Sequence, residues 1–529
     1  MLLALSVVSA SGVQRQLDKV RNVILMIPDG TSIGVMTLAR WYNENKPLNI
    51  DPYLCGLIRT YSIDNRIPDS APTSTAYATG VKTRAPFIGV DSSEAPRISV
   101  LELARMKGLA TGEVVTCEFP HATPADFVCH FNNRESRKYE NLVRQFIYNS
   151  PSVVFAGGKS YLMKNNCLDL LAPNNIRLMT TLAEFDSVTT LPSSGKRLWW
   201  LFPDWRDSTK SLAFECDRDP AKAPSLSQMT DKALGLLKQH KKGFFLMVEG
   251  SQVDWAAHYN DPYAAVTDFL EFDKAVGRAI DFAKKDSHTV VIVCPDHSTG
   301  GLSVGNFQSG TDILGKSQDK YENINIRERI VDSLAKIRWS GRKLAEKMLS
   351  DRSYVSADSI FNYYHLMPSK ELMAAFDSVS KIKTQESLVD TLQQMLGSAF
   401  SRRHFIGWTT TGHTAEDVFL AICAPRGIER KMGVIENGEV GKYIASLLCL
   451  GNLIDSTRKY FCSHKELFSA GEVTVSPDSL VISRNNRKGV VKKNTTILRL
   501  DGKEVRLPTI AVFINEVYYV PKKITDYFK

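Results

Sequence analysis

Four short apolar runs stand out along the chain: "VRNVILMIPDG" (20–30), "GFFLMVEG" (243–250), "HTVVIVCPDHSTGG" (288–301) and "DVFLAICAP" (417–425). They are rich in β-branched residues and do not alternate with polar positions. That pattern predicts strands buried on both faces. Between them lie stretches of helical period, such as "ISVLELARMKG" (98–108) and "AAVTDFLEFDKAVGRAIDFAKK" (264–285). Buried strands alternating with helices predict an α/β protein with a central, mostly parallel sheet flanked by helices on both faces. Ligands of such sheets bind beyond the carboxyl ends of the strands. The first three runs end there in Asp29, Glu249 and Asp296-His297.

The pattern is interrupted from 302 to about 405. "RERIVDSLAKIRWSGRKLAEKMLSDR" and "SLVDTLQQMLGSAFSRR" read as charged helices of an inserted cap. Their basic residues read as a solvated face rather than a membrane or nucleic-acid surface. From 466 the style changes to short alternating strands, with Asp501-Gly502 as a hairpin turn. The expected division is a leader-like segment at 1–12, a catalytic domain at 20–465 and a small β accessory unit at 466–529. The last part of that unit, "AVFINEVYYVPKK", is similar to the β modules of copper amine oxidase N-terminal domains. At the other end, "MLLALSVVSASG" has a short apolar stretch and a small-residue cleavage pattern but no basic start. It points to export, with a short helix or strand as the alternative.

Composition narrows the picture. Of 529 residues, 43% are hydrophobic and 23% charged, as in a soluble globular protein. No apolar run reaches the roughly 20 residues of a membrane helix. The net charge of +9 is mild for this length and suits small anionic substrates better than a specific nucleic-acid partner. Nine scattered cysteines without a CxxC pair are not a disulfide framework, and they read as free or buried thiols.

The strand-end residues suggest a metal site. In "EGSQVDWAAH", Asp254 and His258 are four apart and share a helix face, a spacing that can hold one zinc. Taken alone, the segment reads equally well as capping residues and a satisfied histidine. "PDHSTGG" adds Asp296 and His297, "GWTTTGHTAED" adds His413, and "IPDGTS" adds Asp29. No cysteine takes part in this set. Oxygen and imidazole donors suit zinc, with a carboxylate-rich subsite for magnesium. Ser70, in "IPDSAPTSTAYATG", stands at a helix start, as a cap or as a nucleophile.

The motifs "PDG", "DSAPTSTAYATGVKT", "HATPADFVCHFNNR", "VEGSQVDWAAH", "PDHSTGG" and "TGHT", in this order from 27 to about 415, resemble those of the alkaline phosphatase family. The resemblance implies a phosphomonoesterase with two zinc ions and one magnesium, exported to the periplasm and commonly dimeric. It places Ser70 on the nucleophile and Arg134 on the arginine that grips phosphate. Asp254, His258 and His413 fall on the ligands of the first zinc, and Asp296 and His297 on those of the second. Asp29 falls on the carboxylate bridging the second zinc and the magnesium. Thr123 and Glu249 complete the magnesium site. Zinc would lower the pKa of the Ser70 hydroxyl, and zinc-bound water, with a pKa near roughly 7, would hydrolyse the phosphoserine. Asp69 is expected to orient backbone or Arg134 rather than act as a base.

Two positions depart from one branch of the family. His121 stands where some bacterial members carry Asp, so its nitrogen opens the third site to zinc. Trp255 stands where others have Lys or His, and it either packs or lines the substrate. A sulfatase or phosphodiesterase of the same superfamily is an alternative, although Ser74 occupies the place of the arginine in a Ser-x-Pro-x-Arg sulfatase motif. A binding protein that has lost catalysis is another.

Overall fold

Strand β1 (Asn22–Pro28) runs through the middle of a ten-stranded sheet, with every residue buried. In chain order the others are β2 (Leu54–Arg59), β3 (Ala110–Glu118), β4 (Val153–Gly157), β5 (Ile176–Met179), β6 (Arg197–Leu201), β7 (Phe244–Gly250), β8 (Thr289–Val293), β9 (Val418–Cys423) and β10 (Gly433–Glu436). Their spatial order is β10-β2-β9-β8-β1-β7-β3-β4-β6-β5. These facts come from a computed structural model that describes residues 19–135, 139–192, 195–202, 211–305, 326–380 and 386–529. The leader-like segment and parts of the insertion (306–325 and 381–385) lie outside the described residues.

Side chains of β1 alternate between two cores. Ile24 and Met26 enter one with Val266 and Phe269 of the helix Pro262–Asp286. Val23, Leu25 and Ile27 enter the other with Leu101 and Leu103 of the helix Val100–Met106. Both faces are therefore covered by helices, which is why the runs show no polar alternation. All four apolar runs form strands of this sheet. One orientation differs from a simple βα alternation: β9 runs antiparallel to both β2 and β8.

Parallel pairing sets the site's geometry. On β1, Ile27 faces Glu249 and Pro28 faces Gly250 of β7. On the other side, Met26 faces Val293 of β8. The residues that follow β1, β7 and β8 thus leave the sheet side by side at its carboxyl edge.

The insertion is helical: Ile326–Leu334, Gly341–Ser350, Ala357–Tyr364, Lys370–Ser380 and Glu386–Arg403. Its first basic stretch breaks near Trp339, because Ser340 caps a new helix through the Lys343 N–H. Two buried carboxylates fasten this break to the sheet domain. The Ser340 N–H and hydroxyl donate to Asp217, and the Gly341 N–H donates to Asp261 at 2.7 Å. Tyr364 also donates to Asp261, at 2.9 Å.

At the C-terminal end, five antiparallel strands from Val473 to Arg506 form a meander. Leu500 and Lys503 pair across Asp501 and Gly502, whose φ values of 49° and 82° make the expected hairpin turn. A second small sheet pairs Val517–Val520 with Val512–Ile514 and with Cys462–Ser463, so it takes in chain ahead of 466.

Candidate metal and phosphate site

Asp29 follows β1, and Gly30 makes its position possible. Gly30 has φ +63°, and a methyl group there would meet Asp254 Oδ1 at 2.5 Å and Asp254 Cα at 2.7 Å. The glycine of "PDG" thus lets the turn after β1 lie against the helix Gln252–His258 that carries Asp254. The Gly30 N–H donates to Asp296 Oδ1 at 3.1 Å, which ties the β8 loop to the same turn. At β7, the Cys117 N–H donates to Ser251 Oγ, and the Ser251 N–H to Thr116 Oγ1. The "GSQ" after Glu249 therefore locks the ends of β3 and β7 together.

Three histidines are oriented through one nitrogen each. His258 Nδ1 lies 2.6 Å from the Thr411 carbonyl and His413 Nδ1 lies 2.7 Å from the Pro68 carbonyl. A carbonyl only accepts, so each Nδ1 carries a proton and each Nε2 is left for another partner. Those two Nε2 atoms are 3.2 Å apart, and they lie 3.3 and 3.8 Å from the oxygens of Asp254. His297 stacks on His413 with ring centroids 3.8 Å apart. Its Nδ1 faces Thr299 Oγ1 at 3.3 Å, and that hydroxyl also holds Asp254. His297 Nε2 points at Ser70 Oγ (3.1 Å), Asp296 Oδ2 (3.3 Å) and Asp29 Oδ1 (3.6 Å).

Among the described residues, three candidate metal clusters result: Asp254, His297 and His413; Asp29, Asp296 and His297; and Cys117, His121 and Glu249. The donor atoms fit a cation. Asp29 Oδ1, Asp296 Oδ2, Glu249 Oε1, Thr123 Oγ1 and His121 Nδ1 are all buried without a hydrogen-bond partner. Such orphaned atoms cost free energy unless a positive charge satisfies them. Burial, with the neighbouring carboxylates Asp296, Asp254 and Glu249, pushes Asp29 well above the usual carboxylate range. Burial and Asp296 push Glu249 up to about 8. Burial opposes ionisation of Asp254 too, but His258, His413 and His297 hold it well below its ordinary value. Carboxyl groups crowded this closely are an arrangement for binding cations.

Ser70 opens the ten-residue helix Ser70–Thr79, every residue of which is buried. Asp69 caps it through the Ala71 N–H. The other oxygen of Asp69 pairs with Arg134 Nη1, while Arg134 Nη2 faces His121 Nε2 at 3.1 Å. Burial, and then Arg134, depress His121 to about 3. Trp255 packs edge-on against His121 with centroids 5.6 Å apart. Thr123, at the start of the helix Ala122–Val128, is buried.

The structure therefore brings together Ser70, Asp69, Arg134, His121, Trp255 and the expected carboxylates and histidines. Cys117 is the departure. The sequence reading left every cysteine out of the site, yet Cys117 shares a cluster with His121 and Glu249. Thr299, Ser251 and the Thr411 and Pro68 carbonyls were also unread; none of them belongs to a metal-ligand residue pattern.

A family model described as alkaline phosphatase matches residues 20–177 and 194–450. Alkaline phosphatase 4 of Bacillus subtilis is 33% identical over 462 residues, 84% of this chain and 92% of that protein. Two crystal structures share the fold. A cold-active alkaline phosphatase from a psychrophilic Shewanella gives a TM-score of 0.68 at 25% identity, over 81% of this chain and 99% of that one. The Thermus thermophilus enzyme gives 0.69 at 23% identity, over 82% and 92%. Fold, clustered donors and these matches define a metal-dependent phosphatase. The chain belongs to the alkaline phosphatase family.

Proposed function

We propose that the protein hydrolyses phosphate monoesters through a phosphoserine on Ser70, with two zinc ions and a magnesium or third zinc. The observation that carries this reading is that one imidazole nitrogen, His297 Nε2, faces both the Ser70 hydroxyl at a helix N-terminus and buried oxygens of Asp29 and Asp296 that have no hydrogen-bond partner. Asp254, His258 and His413 would hold the first zinc, and Asp296 and His297 the second. Asp29 would bridge the second and third ions, and Thr123 and Glu249 would hold the third. When bound, the ions supply positive charge that lowers the hydroxyl pKa and neutralises phosphate. The N–H groups and dipole of the Ser70 helix favour an anion at that end. Arg134, part-exposed and paired with Asp69, offers a planar fork to two phosphate oxygens. Ser70 would give up its hydroxyl proton to solvent and form the new Oγ–phosphorus bond as the bond to the leaving alkoxide breaks; the alkoxide takes a proton from water, and a second water later cleaves the serine–phosphorus bond, restoring the hydroxyl and releasing phosphate.

Export to the periplasm fits the leader-like start. Among the described residues, no helix is long and apolar enough to cross a membrane.

The test is hydrolysis of p-nitrophenyl phosphate at alkaline pH by metal-stripped protein, before and after zinc and magnesium are returned. The bis-ester and the sulfate serve as controls. Restored monoesterase activity with little on the controls supports the reading. No turnover of the monoester with metals bound would sink it, and activity on either control would reassign the chain to a diesterase or sulfatase.

A further inference from the structure

The third cluster is not the donor set that magnesium selects. Cys117, His121 and Glu249 are all buried, and one ligand atom from each lies within 4.8 Å of the others. Magnesium takes near-octahedral oxygen ligands and keeps several waters. A thiolate and an imidazole beside a carboxylate instead suit zinc and its first-row neighbours.

Cys117 is not a mere filler of apolar space. Its Sγ lies 3.4 Å from Glu249 Oε2, in position to donate its proton there. Across the same cluster, Glu249 Oε1 and His121 Nδ1 are buried without partners. The position is also fixed by the backbone. Val115 pairs with Glu249 across β3 and β7, and Cys117, two residues on, is buried in the same core as Val115. The Cys117 N–H is anchored on Ser251 Oγ at 3.1 Å, and Gln252 Nε2 holds the Thr116 carbonyl at 3.0 Å. A donor atom held this way by its surroundings is preorganised for a metal.

We infer that Cys117 is a metal ligand and that the third site binds zinc through sulfur, nitrogen and oxygen in preference to magnesium. The inference rests on the reading of Glu249 as a ligand of the third ion. Binding breaks the S–H bond, releases the proton to solvent and forms a metal–sulfur bond, with no change of oxidation state.

The experiment uses full-length, metal-stripped protein loaded with cobalt(II), with zinc-loaded protein followed by zinc-edge X-ray absorption. The wild type should show a near-ultraviolet sulfur-to-cobalt charge-transfer band and a zinc–sulfur shell at about 2.3 Å. Cys117→Ser should lose both while keeping the cobalt d–d bands of the other sites. Its third site should also lose zinc preference over magnesium by at least roughly 10-fold. If Cys117→Ser does not fold, Cys117→Ala and the wild-type sulfur shell carry the same test. No sulfur signal in fully loaded wild type, or a signal that survives loss of Cys117, overturns the inference. Monoesterase turnover without a sulfur signal would fault this inference alone. A sulfur signal without turnover would fault the phosphatase reading alone.

Discussion

Ser70 Oγ stands 3.1 Å from His297 Nε2, and the same nitrogen faces oxygens of Asp296 and Asp29. A serine and two carboxylates aimed at one imidazole nitrogen are more than a single proton can serve. The arrangement separates this site from a serine–histidine dyad, in which the histidine faces one hydroxyl and one orienting acid.

On the proposed phosphoserine route, Ser70→Ala should lower turnover of p-nitrophenyl phosphate by about 10³-fold or more, because alanine offers no nucleophile. Metal content measured by mass spectrometry should stay near that of the wild type. Loss of metal together with activity would make Ser70 a structural residue instead.

Arg134 holds Asp69 through one guanidinium nitrogen and faces His121 through the other. Arg134→Lys keeps the charge but not the planar fork, so kcat/KM should fall by about 10-fold, mostly through KM. Phosphate should inhibit the variant more weakly in proportion. An unchanged inhibition constant would count against a phosphate-gripping role.

A side chain at Gly30 would collide with Asp254 at both Oδ1 and Cα, in a backbone conformation that disfavours alanine. Gly30→Ala should cost about 2 kcal/mol or more in denaturant unfolding, since strain at positive φ adds to the clash. Zinc should also be lost more readily to a chelator, because Asp254 must shift. A variant with normal zinc retention would show that the turn after β1 can move without disturbing the ligand.

Asp217 lies buried under the insertion, where Ser340 donates to both of its oxygens. Burial, only partly offset by those bonds, pushes its carboxyl up to about 6. An acid raised on folding stabilises fully below its unfolded value near 3.9, and that contribution fades as pH rises through the folded value. The thermal midpoint should fall between about pH 4 and pH 7, by the equivalent of about 3 kcal/mol at most. Asp217→Asn should flatten that slope, because the amide keeps one acceptor for the Ser340 N–H. Parallel curves for the two proteins would rule out Asp217 as the titrating group.

Much of this was readable from residue pattern alone. Strands buried on both faces lack polar alternation, so β1, β7, β8 and β9 announced themselves, and the acids closing the first three marked the ligand edge. The direction of β9 was not readable, because strand polarity depends on partners far away in the chain. The break at Ser340 was hidden inside a charged helical run and appears only once Asp217 and Asp261 face it. Cys117 was invisible for a similar reason. No motif spacing marks it, and it joins the site through the pairing of β3 with β7 and the bond of its N–H to Ser251.

Asp261 caps the 25-residue helix Pro262–Asp286, and it also accepts from Gly341 and Tyr364 of the insertion. It lies three residues after His258. The insertion is consequently not a detachable ornament. Excising its helices would strip a buried acid of two of its donors three residues from His258. Gly341 and Tyr364 are the points at which the insertion holds this acid.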